Sequence, residues 1–366
     1  MTSPLCKVAD ILFIRFELKD LGPQKEYLEH FGMHLAHATE DKVYFRGTGA
    51  SPFIYVAQKG AEDRFLGTGY WVESFEELEK LANAHNVTIE ENLELGGGYK
   101  VAIQDLDGFG AEVFHGLKMT NAEAAQPPIM NTGTHKFRVN DLQRFGAAAD
   151  EWQLGETGEW EYKLRSNVMR LGHTAINVAD AQAAIKWYEE NLGMIITDSI
   201  VMPDGSVLGA FVRCDRGTMA VDHHTINILG VTPGNEQFVG NFGHGGFEVR
   251  DSVDDLLAGH YHLKTTGKYY HEWGLGRHLL GSQIYDYWRD PQGFTLEHWT
   301  DGDMLDASVP TRDVPARDTV LAQFGPLVPA TFGLSMSVDE VDSFRANNPS
   351  LSEVVKMMEL GPPTGE

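Results

Sequence analysis

The stretch TAINVADAQAAIKWYEENLGM (residues 174–194) decides how this chain is read, because IRFELKDLGPQKEYLEHFGM (residues 14–33) repeats its plan. Each runs from an alternating apolar segment, suited to a strand, into a helical pattern and out through Gly-Met. In the later copy Asp180 is placed to cap the helix, Ile185, Tyr188 and Leu192 share one face, and Gly193 is placed to end it. Two further parallels follow in the same order. GYWVESFEELEKLA (residues 69–82) matches GGFEVRDSVDDLLA (245–258), and DGFGAEVFHG (107–116) matches QGFTLEHWTDG (292–302).

These recurrences predict four βαβββ modules, two in each half: an α+β chain with curved mixed sheets rather than a doubly wound parallel one. A length of 366 residues suits such a pair of similar units. The reading divides the chain into an N-terminal module pair (1–117), a linker region (118–166) containing Gln126-Pro127-Pro128, a C-terminal module pair (167–303) and a Pro-rich tail (304–366). The tail is expected to be extended, laid on the surface or over a cavity, with a short helix near residues 338–345.

Composition narrows the function classes. With 53 acidic and 29 basic side chains the formal charge is −24, which disfavours binding to a phosphate backbone or an anionic membrane face. Two cysteines, Cys6 and Cys214, make no disulfide framework. The apolar run from Ile11 to Ile14 is flanked by charges and reads as a strand, and no apolar run approaches the ~20 residues of a bilayer span. The expectation is a cytoplasmic protein with neither a nucleic-acid nor a membrane partner.

Chemistry gathers in the second half. His173 shares a strand face with Ala175 and Asn177, His244 opens the strand HGGFEV, and Glu297 lies in GFTLEHW after an Asp-Pro-Gln-Gly turn. The parallels set these against Leu12, Thr68 and Glu112, so both histidines are absent from the first copy. One module pair is then expected to hold a site and the other to be structural. Two imidazoles and a carboxylate on neighbouring strands form the facial set that suits non-haem Fe(II). A chain with 15 His and 53 acidic residues also contains such triples by accident, so spacing alone leaves both readings open.

The blocks GHTAINV, DHHTINIL followed by HGGFEV, and GLGRHLLGSQIYDYWRDPQGFTLEHWTDGD resemble the vicinal oxygen chelate superfamily, and within it the type I extradiol catechol dioxygenases. The resemblance covers residues 8–303. It implies metal ligands at His173, His244 and Glu297, and catalytic or substrate-contacting residues at His224, His278 and Tyr287. Of the neighbours His223 and His224, alternation lets only one face a cavity, and loop length favours His224. The two glycines after His244 depart from the bulkier residues common in the family, which suggests a wider space near the metal.

The resemblance further implies Fe(II), with Mn(II) suited to the same donors, a catecholic substrate cleaved with O2 to a muconic semialdehyde-type product, and a homo-oligomer. Rival readings are a 4-hydroxyphenylpyruvate-type dioxygenase and a non-enzymatic small-molecule binder on this scaffold. A glyoxalase-type isomerase would need ligands from both module pairs, against which Leu12 and Thr68 argue.

Overall fold

β1 (Asp10–Leu18), DILFIRFEL, is buried along nearly its whole length, the behaviour of a central strand covered on both faces. The computed structural model describes residues 3–123, 134, 152–154, 160–162, 165–231, 235–250, 253–351 and 353. After β1 come α1 (Gly22–His30), β2 (His34–Ala38), β3 (Lys42–Arg46), β4 (Tyr55–Lys59), β5 (Arg64–Trp71), α2 (Phe75–His85), β6 (Glu90–Glu91), β7 (Tyr99–Gln104) and β8 (Gly110–His115). β9 (Trp152–Leu154) and β10 (Trp160–Tyr162) pair as a small separate ladder. The second half holds β11 (Val168–Val178), α3 (Ala181–Leu192), β12 (Met194–Val201), β13 (Val207–Cys214), β14 (Val221–Asp222), β15 (Ile226–Gly230), β16 (Phe242–Val249), α4 (Val253–Thr266), β17 (Tyr270–His278), β18 (Ile284–Arg289) and β19 (Thr295–Thr300). The tail adds β20 (Met304–Leu305), β21 (Arg312–Pro315), β22 (Ala322–Phe324) and α5 (Val338–Asn347).

The four βαβββ modules are therefore present, as two mixed sheets. One has the order β2-β3-β4-β1-β5-β8-β7-β6, the other β21-β12-β13-β15-β11-β16-β19-β18-β17-β22. In each, two modules join through an antiparallel seam, β1 with β5 and β11 with β16. The expected helix signals are in place on α3. Asp180 accepts from the Ala183 amide, Gly193 ends the helix at φ 66°, and Ile185, Tyr188 and Leu192 are buried.

The outer faces of the two sheets pack on each other. Phe16 meets Phe242 and Phe294 at ring separations of 5.2 and 4.8 Å, and Phe65 meets Phe242 at 4.5 Å. Tail strands extend both edges of the larger sheet, β21 beside β12 and β22 beside β17. α5 is closed by a capping box between Ser337 and Glu340. Gln126-Pro127-Pro128, most of the 118–166 region and residues 354–366 lie outside the described residues.

Strand register corrects the expected counterparts of the histidines. His173, Gly246 and Glu297 lie side by side across β11, β16 and β19. The matching row of the first half is Phe13, Gly69 and Glu112, and Gly67 takes the position of His244. The counterparts are thus Phe13 and Gly67, not Leu12 and Thr68. The cause is local: Phe13 lies 20 positions before Met33 and His173 21 before Met194, whereas Gly69 lies 13 before Ala82 and Gly246 12 before Ala258, so each gapless comparison is off by one.

Candidate metal centre

Period-2 alternation on β11 turns His173, Ala175 and Asn177 to one cavity. His244, the third residue of β16, and Glu297, the third of β19, reach the same place. The Nε2 atoms of His173 and His244 are 3.2 Å apart, and Glu297 Oε2 lies 2.9 Å from the first and 3.6 Å from the second. What permits this convergence is Gly246. A Cβ there would come within 2.3 Å of His173 Cε1 and 2.8 Å of Glu297 Oε2.

The donor set fits a divalent ion. Three donors at bonds of ~2.1 Å and right angles would stand roughly 3 Å apart, close to the separations found. Glu297 is fully buried, and neither of its oxygens has a hydrogen-bond partner of good geometry. A buried carboxylate so placed requires a cation. Burial alone would raise its pKa, but the imidazoles around it, His173 at 2.9 Å foremost, outweigh that and hold it below the usual carboxylate range. Burial lowers His244 to about 3, so its ring is neutral and available as a ligand at neutral pH.

In the first half the same row carries a different set of side chains. Gly69 makes room for the Phe13 ring as Gly246 does for His173, with a would-be Cβ 2.2 Å from that ring. Glu112 is kept, but it is neutralised by Arg15 and Lys100. Arg15 also pairs with Glu94 at 2.8 Å, and Lys42 joins the same carboxylate.

Around the triad stand the other residues singled out in the sequence. His224 lines the cavity, its ring 4.2 Å from that of His173. His223 turns the other way, although both lie in the bend before β15 rather than within a strand. Its Nε2 is 2.9 Å from Asp198 Oδ2, while its Nδ1 is 3.2 Å from His224 Nδ1. Asp198 is clamped in turn by Arg312 of the tail through two bonds of 2.8 and 2.9 Å. His278 ends β17, and its Nε2 shares a hydrogen bond of 2.9 Å with the Tyr287 hydroxyl. Burial lowers the pKa of His224 and His278 and raises that of Tyr287.

Two glycines after His244 do not widen the site. Gly245 faces the other sheet, where a Cβ would sit 2.8 Å from Ile14 Cδ1, and Gly246 is filled by the ligands themselves. Sequence reasoning passed over Asp198 and Arg312, which are far apart in the chain. It also passed over the tail residues Val320, Phe332 and Leu334 that close the cavity. A second grouping, His260, His271 and Asp286, lies on the opposite face of β18. There both rings bond Asp286 at 2.7–3.1 Å and the Trp288 indole donates to it at 2.6 Å, so the carboxylate is satisfied without an ion.

With this geometry in hand, known proteins give its context. Residues 170–298 match the Glyoxalase/Bleomycin resistance protein/Dioxygenase superfamily. The chain is 30% identical over 324 residues to metapyrocatechase 2 of Cupriavidus necator, covering 86% of this chain and 88% of that protein. It is 25% identical over 293 residues to 3-methylcatechol 2,3-dioxygenase of Pseudomonas putida, covering 78% and 87%. Among solved structures, a Mn(II)-bound glyoxalase from Novosphingobium aromaticivorans shares the fold, with a TM-score of 0.67, 20% identity and coverage of 91% and 99%. The chain belongs to this superfamily, in its type I extradiol catechol dioxygenase branch.

Proposed function

We propose that this protein opens a catecholic ring beside its diol by inserting both atoms of O2, with Fe(II) held by His173, His244 and Glu297. The carrying observation is the meeting of two imidazole Nε2 atoms and one carboxylate oxygen within 2.9–3.6 Å at the wall of a cavity that also presents His224, His278 and Tyr287. An Fe(II) bound there supplies adjacent coordination positions for both reactants and a path for electron density between them, and Mn(II) suits the same donors.

The protein's own groups handle protons and position. The Tyr287 hydroxyl, raised in pKa by burial, stays protonated and donates to a diol oxygen. His278 donates from Nε2 to the Tyr287 oxygen at 2.9 Å, which turns the hydroxyl proton to the diol and fixes the ring's approach. His224 is kept neutral by burial, and its Nδ1 is engaged by His223, so Nε2 takes and returns a proton during O–O cleavage. The tail segment with Val320, Phe332 and Leu334 excludes water. In this proposal residues 1–117 are a packing partner, 118–166 a linker, 167–303 the catalytic unit and 304–366 its cover. A cytoplasmic homo-oligomer completes it, and light scattering reads the assembly.

The isomerase reading gains nothing, since Phe13 and Gly67 stand where ligands from the first half would be needed. The test is anaerobic loading with Fe(II), then catechol and 18O2. A yellow ring-opened product carrying both labelled atoms is expected. Tight catechol binding without turnover would favour the sequestering protein instead.

A further inference from the structure

We infer that the cavity selects neutral catechols bearing an apolar substituent and rejects catechols that carry a carboxylate. This deepens the proposed function and rests on it. Away from the triad, the walls are apolar: Met202 and Phe211 from one module, Leu280 from the loop after β17, and Val320, Phe332 and Leu334 from the tail. The cavity measures about 250 Å³, just under the ~300–1,000 Å³ of most small-molecule sites, which leaves room for one ring and a short side chain.

Charge decides the class. Among the described residues that line the cavity there is no Lys or Arg, and the polar groups away from the metal face are the neutral side chains of Asn177, Asn227, Gln283 and Thr319. The one carboxylate is Asp318, which is already paired with Arg317 at 3.3 Å. Arginines in the same half are committed elsewhere: Arg312 to Asp198, Arg289 to Glu272 and Arg277 to Asp301. An anionic substituent entering this space would lose its hydration and find no Lys or Arg on the lining, only a carboxylate whose own partner is Arg317, whereas a methyl or ethyl group would meet apolar walls.

The experiment compares kcat/KM for 3-methylcatechol, 4-methylcatechol, protocatechuate and 3,4-dihydroxyphenylacetate on the Fe(II)-loaded full chain, together with anaerobic calorimetry of the same four ligands. The neutral pair is expected to exceed the anionic pair by ~100-fold or more, the scale set by burying an unpaired ion. Val320→Lys, which places a cation on the wall, should narrow that ratio by about tenfold or more. Should that variant fail to fold, Asp318→Asn must narrow the ratio by about threefold through loss of repulsion. Equal or better use of the anionic pair, or a ratio unmoved by the folded variant, overturns the inference while leaving ring cleavage intact. Failure to bind or open any of the four overturns the proposed function, and this inference with it.

Discussion

His223 Nε2 stands 2.9 Å from Asp198 Oδ2, and both groups are buried. Because the other nitrogen of His223 meets His224 Nδ1, the carboxylate fixes which nitrogen of each ring carries a proton. It is itself held by Arg312, so a tail residue helps to set the tautomer of a ring at the reaction site.

Asp198→Asn should therefore lower kcat by about 10–100-fold, the scale of outer-shell partners at metal sites, with KM and bound metal little changed. Metal analysis alongside steady-state kinetics checks this. A purely structural role would instead show as a lower melting temperature with kcat intact.

In the proposed assignment His224 handles protons and is not a metal ligand. His224→Phe should reduce kcat by ~10²–10⁴-fold while retaining one metal ion per chain. Loss of the metal in this variant would make His224 a ligand and revise the coordination set.

Gly246→Ala places a methyl against His173 and Glu297, at a cost of about 1–3 kcal/mol from overpacking. Metal retention should fall steeply. Gly245→Ala is the control: its methyl strikes Ile14 on the other sheet, so it should lose stability yet keep its metal. Equal metal content in the two variants would contradict the geometry.

Asp290 offers a test of pH dependence. Burial pushes its carboxyl up to about 7, while Oδ1 accepts from the amides of Gln292 and Phe294 at 3.0 and 2.9 Å. The folded state thus binds a proton that the unfolded chain has already released above its ordinary carboxyl range. This makes the group's contribution fall as pH rises from the unfolded value towards 7. Asp290→Asn keeps the Oδ1 acceptor and removes the titration, at a pH-independent cost where Oδ2 accepted from Gln24 Nε2 at 3.1 Å. Relative to wild type the variant should gain about 2 kcal/mol between pH 5 and pH 8 in urea unfolding. A constant difference across that range would sink the assignment.

Much of this was legible in the chain because strands and helices write their periods into the sequence. The Asp180 cap, the Gly193 stop and the buried Ile185, Tyr188 and Leu192 could be placed without coordinates, as could four repeated modules. Register was not legible: one-residue differences in length between the site row and the repeated helical segments moved the counterparts of His173 and His244 from Leu12 and Thr68 to Phe13 and Gly67. Nor could spacing announce that Gly246 is small for the sake of two neighbours on other strands. Asp198 and Arg312 are 114 residues apart and meet only because β21 lies beside β12. Contacts made across a sheet, or between the tail and the sheet edge, leave no local periodicity to read.

The central claim is that His173, His244 and Glu297 share one divalent ion. Anaerobic Fe(II) titration followed by native mass spectrometry tests it most directly, on wild type and on folded Glu297→Ala. One ion per chain in wild type and none in the variant is the predicted outcome; an ion retained at full occupancy after Glu297→Ala would contradict it.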